Sequence, residues 1–147
     1  MSIVYSIDKE KGITLVLWGG MITAVEFLAH VHRLTSDANW PPLIKRLHLA
    51  DLRNTSADPS IDRATLEEAA DLFGKDKKKI ANMKVAIVTQ DEFNKAVAFE
   101  RYVFRYIPSV IVFNDLHTAC LWLGINAEEA EGTLLQLRNQ ARGETKA

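Results

Sequence analysis

The chain has 147 residues, 48% hydrophobic and 25% charged, which suits one globular domain with a single core. Its 18 Lys+Arg against 19 Asp+Glu leave a formal net charge of -1, so the strongly basic balance of a duplex-binding domain is missing and no nucleic-acid partner is expected. Cys120 is the single cysteine, so no internal disulfide is possible. No apolar run reaches the ~18 residues of a transmembrane segment, and MSIVYSIDKEKG lacks the basic and apolar regions of a signal peptide. A soluble cytoplasmic domain is the expectation.

Residues 3–8 (IVYSID) and 13–18 (ITLVLW) alternate as strands, with Lys11-Gly12 between them as a hairpin connection. The alternation places Ile3, Tyr5 and Ile7 on one face, and Ile13, Leu15 and Leu17 on one face of the second strand. Gly19-Gly20 is expected to end the pair. A helix follows over 22–36, with Ala24, Phe27, Leu28, Val31 and Leu34 as its apolar stripe. Glu26, His30 and Arg33 share another stripe, expected to be wet. Residues 44–51 (IKRLHLAD) read as a strand, and LRNTSADPS after them as a turn-rich loop. A helix begins near Ile61 with Ser60 as its N-cap, burying Leu66, Ala69, Ala70 and Phe73.

Residues 83–89 (MKVAIVT) form a buried strand. A helix over 92–106, capped by Asp91, carries Phe93, Ala96, Val97, Val103 and Phe104 on its apolar stripe and stops before Pro108. Residues 109–113 (SVIVF) are another buried strand. Asp115 caps a short helix ending at Gly124, and Asn126 caps a last helix to about 142. The order β-β-α-β-α-β-α-β-α-α implies a mainly parallel sheet with an antiparallel hairpin at one side.

That order resembles the SpoIIAA-like family, grouped with the STAS domains of anti-sigma-factor antagonists and related to the SEC14 lipid-binding fold. The likeness rests on the opening hairpin, the turn at 20–23 and EFLAHVHRL. It continues in the strand ending Ala50-Asp51-Leu52, in KVAIVT, and in VIVFNDLHTACLWLG with its Asp and Trp-Leu pair. It spans about residues 3–124, which would be the core of a single domain over 1–147. The resemblance implies an α/β, single-domain STAS/SpoIIAA-like fold. Its mixed central sheet would have about five strands, with helices mainly on one face. It further implies a non-enzymatic regulatory or protein-interaction module; the alternative is a SEC14-like carrier of a small apolar ligand or lipid. In the antagonists a serine of an Asp-Ser-Ser-Gly motif is phosphorylated at a helix N-terminus. Here Asp58 and Ser60 match the Asp and the second Ser, while Pro59 and Ile61 replace the other Ser and the Gly. The resemblance therefore supports the fold more than the phosphoswitch.

Ser60 and Ser56 are the candidate switch residues, because a helix N-terminus favours negative charge; the plain alternative is an N-cap. Asp51, Arg53, Asn54 and Asp58 are candidates for a ligand or partner loop, because ends of parallel strands favour such sites. Glu100 lies in an apolar stripe and is the candidate buried acid, expected to pair with Arg101, Arg105 or a strand. His30, His32, His48 and His117 have no metal-ligand spacing, and no phosphate-binding glycine motif occurs, so no metal or cofactor is expected. Cys120 reads as a small buried hydrophobe. Lys75, Lys77, Lys78 and Lys79 form a basic cluster, either a solvated face or a contact with anionic lipid beside Ile80 and Met83. A carrier would need a pocket of ~300–1,000 Å³ between the sheet and helices 92–106 and 115–123. A homodimer is a further expectation.

Overall fold

A computed structural model describes residues 2–146, with side chains to residue 143. The hairpin strands are β1 (Ser2–Asp8) and β2 (Ile13–Ile22), paired antiparallel. Gly12 closes their turn at φ 69°, its N–H on the Asp8 carbonyl. Three further strands follow β2 in parallel: β3 (Leu47–Ala57), β4 (Lys84–Val88) and β5 (Ser109–Phe113). The five-stranded sheet keeps sequence order, β1-β2-β3-β4-β5.

That order dictates where the helices go. Each parallel strand is laid down beside the previous one in the same direction, and right-handed crossovers then deliver every connecting helix to one face. These are α1 (Ala24–Ser36), α2 (Arg63–Phe73), the four-residue α3 (Lys77–Ile80) and α4 (Phe93–Val103). The opposite face would be left bare. It is covered by α5 (Leu116–Leu123) and α6 (Ala127–Lys146), which fold back after β5. Ile13, Leu15 and Leu49 bury against Leu116, Leu134 and Leu137 there. Helices thus lie mainly, but not only, on one face, and α6 completes the core.

Several boundaries differ from expectation, among them the start of β3, at Leu47 rather than 44 because 44–46 form a turn, and three bear on the site. Gly19 and Gly20 do not end β2, which runs on to Ile22. Residues 52–57 are not a loop but the continuation of β3, with 54–57 paired to 19–22. Turn-forming side chains yielded here to the parallel ladder offered by β2. One residue is bulged: Leu17 pairs with Asp51, but Gly19 pairs with Asn54. A bulge reverses the side-chain alternation beyond it. Third, α1 begins at Ala24, where Thr23 and Glu26 form a reciprocal capping box.

Candidate functional site: a strap over an apolar interior

Because of the bulge, His48, Ala50 and Leu52 line one apolar space before it, and Thr55 and Ala57 line the same space after it. The space lies between the sheet and α1, α2 and α4, with Trp18, Phe27 and Phe99 among its walls. Its volume is about 90 Å³, far below the ~300–1,000 Å³ of a lipid-sized pocket. It also avoids α5, so the expected carrier pocket is not the one formed.

His30 faces this space. The stripe it shares with Glu26 and Arg33 is expected to be wet, yet His30 is 3% exposed. It stands three residues after Phe27 and four before Leu34, both buried, and that spacing was the available signal. Its Nδ1 has no hydrogen-bond partner. Burial first, then the neighbouring His48 and Arg33, pushes its pKa down to about 3. His48, equally hidden, is pushed down to about 4 by burial. Its Nδ1 accepts from the Trp40 indole at 3.4 Å. Both rings are therefore neutral at pH 7.

The segment 57–61 closes the space, with Ala57 and Ile61 facing inward. It is fastened on three sides. The Ala57 N–H donates to Glu92 Oε1 at 3.0 Å, and Lys95 Nζ donates to the Ile61 carbonyl at 2.9 Å, so α4 holds both ends. The Asp58 N–H donates to the Ile22 carbonyl of β2 at 2.8 Å. Ser60 Oγ accepts from the Ala24 N–H at 3.0 Å, joining the strap to the first residue of α1. Ser60 is thus not the cap of α2. Asp62 takes that place, accepting from Thr65 N at 3.0 Å. Glu92 stands at the N-cap position of α4, in place of Asp91, but caps nothing because its carboxylate is committed to Ala57. Glu92 and Lys95 were invisible as site residues in the sequence, since their partners are backbone atoms 35 and 34 positions away.

The remaining candidates disperse. Asp51 is fully buried on the opposite face, in register with Leu17 and Val88. Arg53 holds it bidentately, Nε to Oδ1 at 2.9 Å and Nη2 to Oδ2 at 3.0 Å, and reaches Glu131 of α6 at 3.5 Å. The Asp51 carboxylate keeps the Arg53 guanidinium above its ordinary value. Asn54 is exposed beside Gly19, and Ser56 is half-buried beside Met21. Glu100 is half-buried rather than buried, and pairs with neither arginine: its Oε2 accepts from the Val112 N–H of edge strand β5 at 3.1 Å. Asp51 and Glu100 therefore do not converge as an acid–base pair. Phe93 and Phe104, expected on the buried stripe of α4, are 47% and 59% exposed because they flank its ends. Cys120 is buried, which raises its thiol pKa. Among the described residues no group of His, Cys, Asp and Glu is placed to hold a metal. None of their helices is long and apolar enough to cross a membrane.

This architecture is the SpoIIAA-like fold, in its α/β single-domain form. A solved structure shares it: an uncharacterised protein of the DUF3478 family from Shewanella loihica PV-4, described as having a SpoIIAA-like fold. The two are 18% identical, with a TM-score of 0.50 over 83% of this chain and 94% of that one. No family model matches the chain, and no curated protein matches it. The likeness is one of fold.

Proposed function

We propose that the chain is a non-enzymatic regulatory module, read by a partner protein at the strap 57–61 and the adjoining starts of α1 and α4. The observation that carries this is the exposed Ser60 hydroxyl on the Ala24 N–H. A phosphate on that oxygen would meet the positive end of a 13-residue helix. It would also compete there with Glu26, whose carboxylate already accepts from Thr23 N at 3.2 Å. Charge at one atom thus acts on the strap, on α1 and, through Glu92 and Lys95, on α4. The broken motif is compatible with this, because the hydroxyl reaches a helix start without the Gly. Ser56, with its backbone in the sheet, is the weaker switch candidate.

The test is co-purification of the chain from its own cells, comparing wild type, Ser60→Ala and Ser60→Asp with quantitation of bound proteins. A partner gained or lost with Ser60→Asp supports the reading. An unchanged partner set with Ser60→Asp overturns it.

A second reading has its own observation. The unpartnered His30 Nδ1 faces apolar walls, so a small, mostly apolar molecule with one polar atom would satisfy it. Native mass spectrometry of gently purified protein tests this: a bound mass lost with His30→Leu supports it, and a bare chain contradicts it.

A further inference from the structure

The strap lies where the parallel strands end. The opposite end, where β3 and β4 begin, carries a different surface. Leu43 is 90% exposed and Ile44 50% exposed, side by side on the turn before β3. Lys45 and Arg46 continue that turn in the left-handed region, at φ 56° and 50°. The turn is held from two directions. Arg46 Nη1 donates to the carbonyls of Lys78, Lys79 and Ala81 at 2.9, 3.2 and 3.0 Å, tying it to α3. Behind it sits Gly12, where a Cβ would collide with the Ile44 carbonyl. Leu43 and Ile44 are thus presented on a fixed support.

Beside them lies a lysine-rich segment, residues 75–79, with Asp76 as its one acidic member. Lys45, Lys75, Lys77 and Lys78 are exposed, and among the described residues none of their ammonium groups meets a carboxylate within 4.0 Å. Lys78 and Lys45 share one shallow depression with Leu43. Asp76 lies within the lysine run, but its carboxylate faces the Lys78 N–H at 3.1 Å. Lys79 is excluded from the free set, because its Nζ donates to the Thr35 carbonyl at 3.1 Å. Ile80 and Met83, the apolar neighbours suggested by sequence, are each 3% exposed and take no part.

We propose that this end docks on an anionic lipid surface, with Leu43 and Ile44 entering the interface and the four free lysines meeting acidic headgroups. Exposed apolar side chains beside lysines that meet no carboxylate complement an anionic leaflet, which offers acidic headgroups and an apolar interior together. Lysines near an anionic leaflet and apolar side chains at the headgroup level act together in peripheral binding. The strap at 57–61 then faces away from the membrane, free for a partner.

The experiment is co-sedimentation of the full chain with vesicles of phosphatidylcholine, alone or with about 30% phosphatidylserine, at about 50 and 300 mM salt. The expected result is pelleting with the anionic vesicles only, weakened at the higher salt by screening. Leu43→Asp should lower partitioning by about tenfold. Lys77→Glu and Lys78→Glu should each lower it by at least about fivefold. All three positions are exposed, and unchanged thermal melts would confirm folding. Equal pelleting with both vesicle types, no pelleting with either, or an unchanged Leu43→Asp variant overturns the proposal. So does retention on an immobilised polyglutamate column that needs the same lysines without vesicle binding, which assigns the surface to an acidic protein instead.

Discussion

Ser60 Oγ lies 3.0 Å from the backbone nitrogen of Ala24 and accepts its hydrogen bond, so a residue of the α2 approach stabilises the start of α1. The pair is 36 positions apart in sequence. It makes the strap 57–61 a shared component of two helices rather than a free loop.

Removing the hydroxyl tests that role. Ser60→Ala should destabilise the fold by about 0.5–1 kcal/mol, the usual worth of one exposed hydrogen bond or cap. Ser60→Asp should recover much of the loss, since a carboxylate is also favoured at a helix start. Urea melts of the three proteins give the comparison.

The fastening by α4 is testable separately. Glu92→Ala removes the acceptor of the Ala57 N–H, and Lys95→Met removes the donor to the Ile61 carbonyl. Each should cost about 1 kcal/mol and raise amide exchange locally at 57–61. Protection in β4 should be unchanged.

Two neutral buried histidines make the fold sensitive to acid. In the unfolded chain they titrate near 6.5; folded, they titrate near 3 and 4. Between those limits the unfolded state binds more protons, so stability falls as pH drops below 6.5. Each histidine contributes up to about 1.4 kcal/mol per pH unit in that window. His30→Leu should remove roughly half of the decline between pH 6 and pH 5. It should cost little at pH 7, because it also removes an unsatisfied buried nitrogen. Denaturant melts across that range test both points.

The main sheet and most helices were legible in the sequence, because period-two and period-3.6 apolar patterns are local. Ile13, Leu15 and Leu17 announced their shared face, and Gly124 announced the end of α5 at φ 75°. The strap was not legible in the same way. Asn54, Thr55 and Ser56 have turn chemistry, and only pairing with β2 makes them strand. Glu92 and Lys95 look like ordinary helix-surface charges until the fold brings 57–61 over them. Ser60 is legible as a hydroxyl at a helix start, but its hydrogen bond goes across space to α1, while Asp62 two residues on caps α2.

On the opposite face, Asp51 and Arg53 should behave as one unit. Arg53→Ala leaves a fully buried carboxylate without its counter-charge, held by the backbone N–H of position 53, and should cost about 3–5 kcal/mol. Asp51→Leu combined with Arg53→Leu should restore part of that stability, as replacing a buried pair with apolar groups often does. A double-mutant cycle by chemical denaturation checks the coupling. The contrast with Ser60 is that these substitutions should alter stability without altering exchange at 57–61.

Glu100 guards the sheet edge. With its carboxylate removed in Glu100→Ala, the Val112 N–H is left open on β5. Unpaired edge groups invite strand addition from another chain. The variant should self-associate more strongly than wild type in light scattering, while Glu100→Gln, which keeps an acceptor, should not.

The most direct measurement is hydrogen–deuterium exchange on wild type and Ser60→Asp under identical conditions. If charge at this atom resets the strap, exchange should change at 57–61, in the first turn of α1 and in the first turn of α4 together, with β3 and β4 unaffected. Exchange that is the same in both proteins, or changed only at residue 60 itself, would contradict the coupling on which the regulatory reading stands.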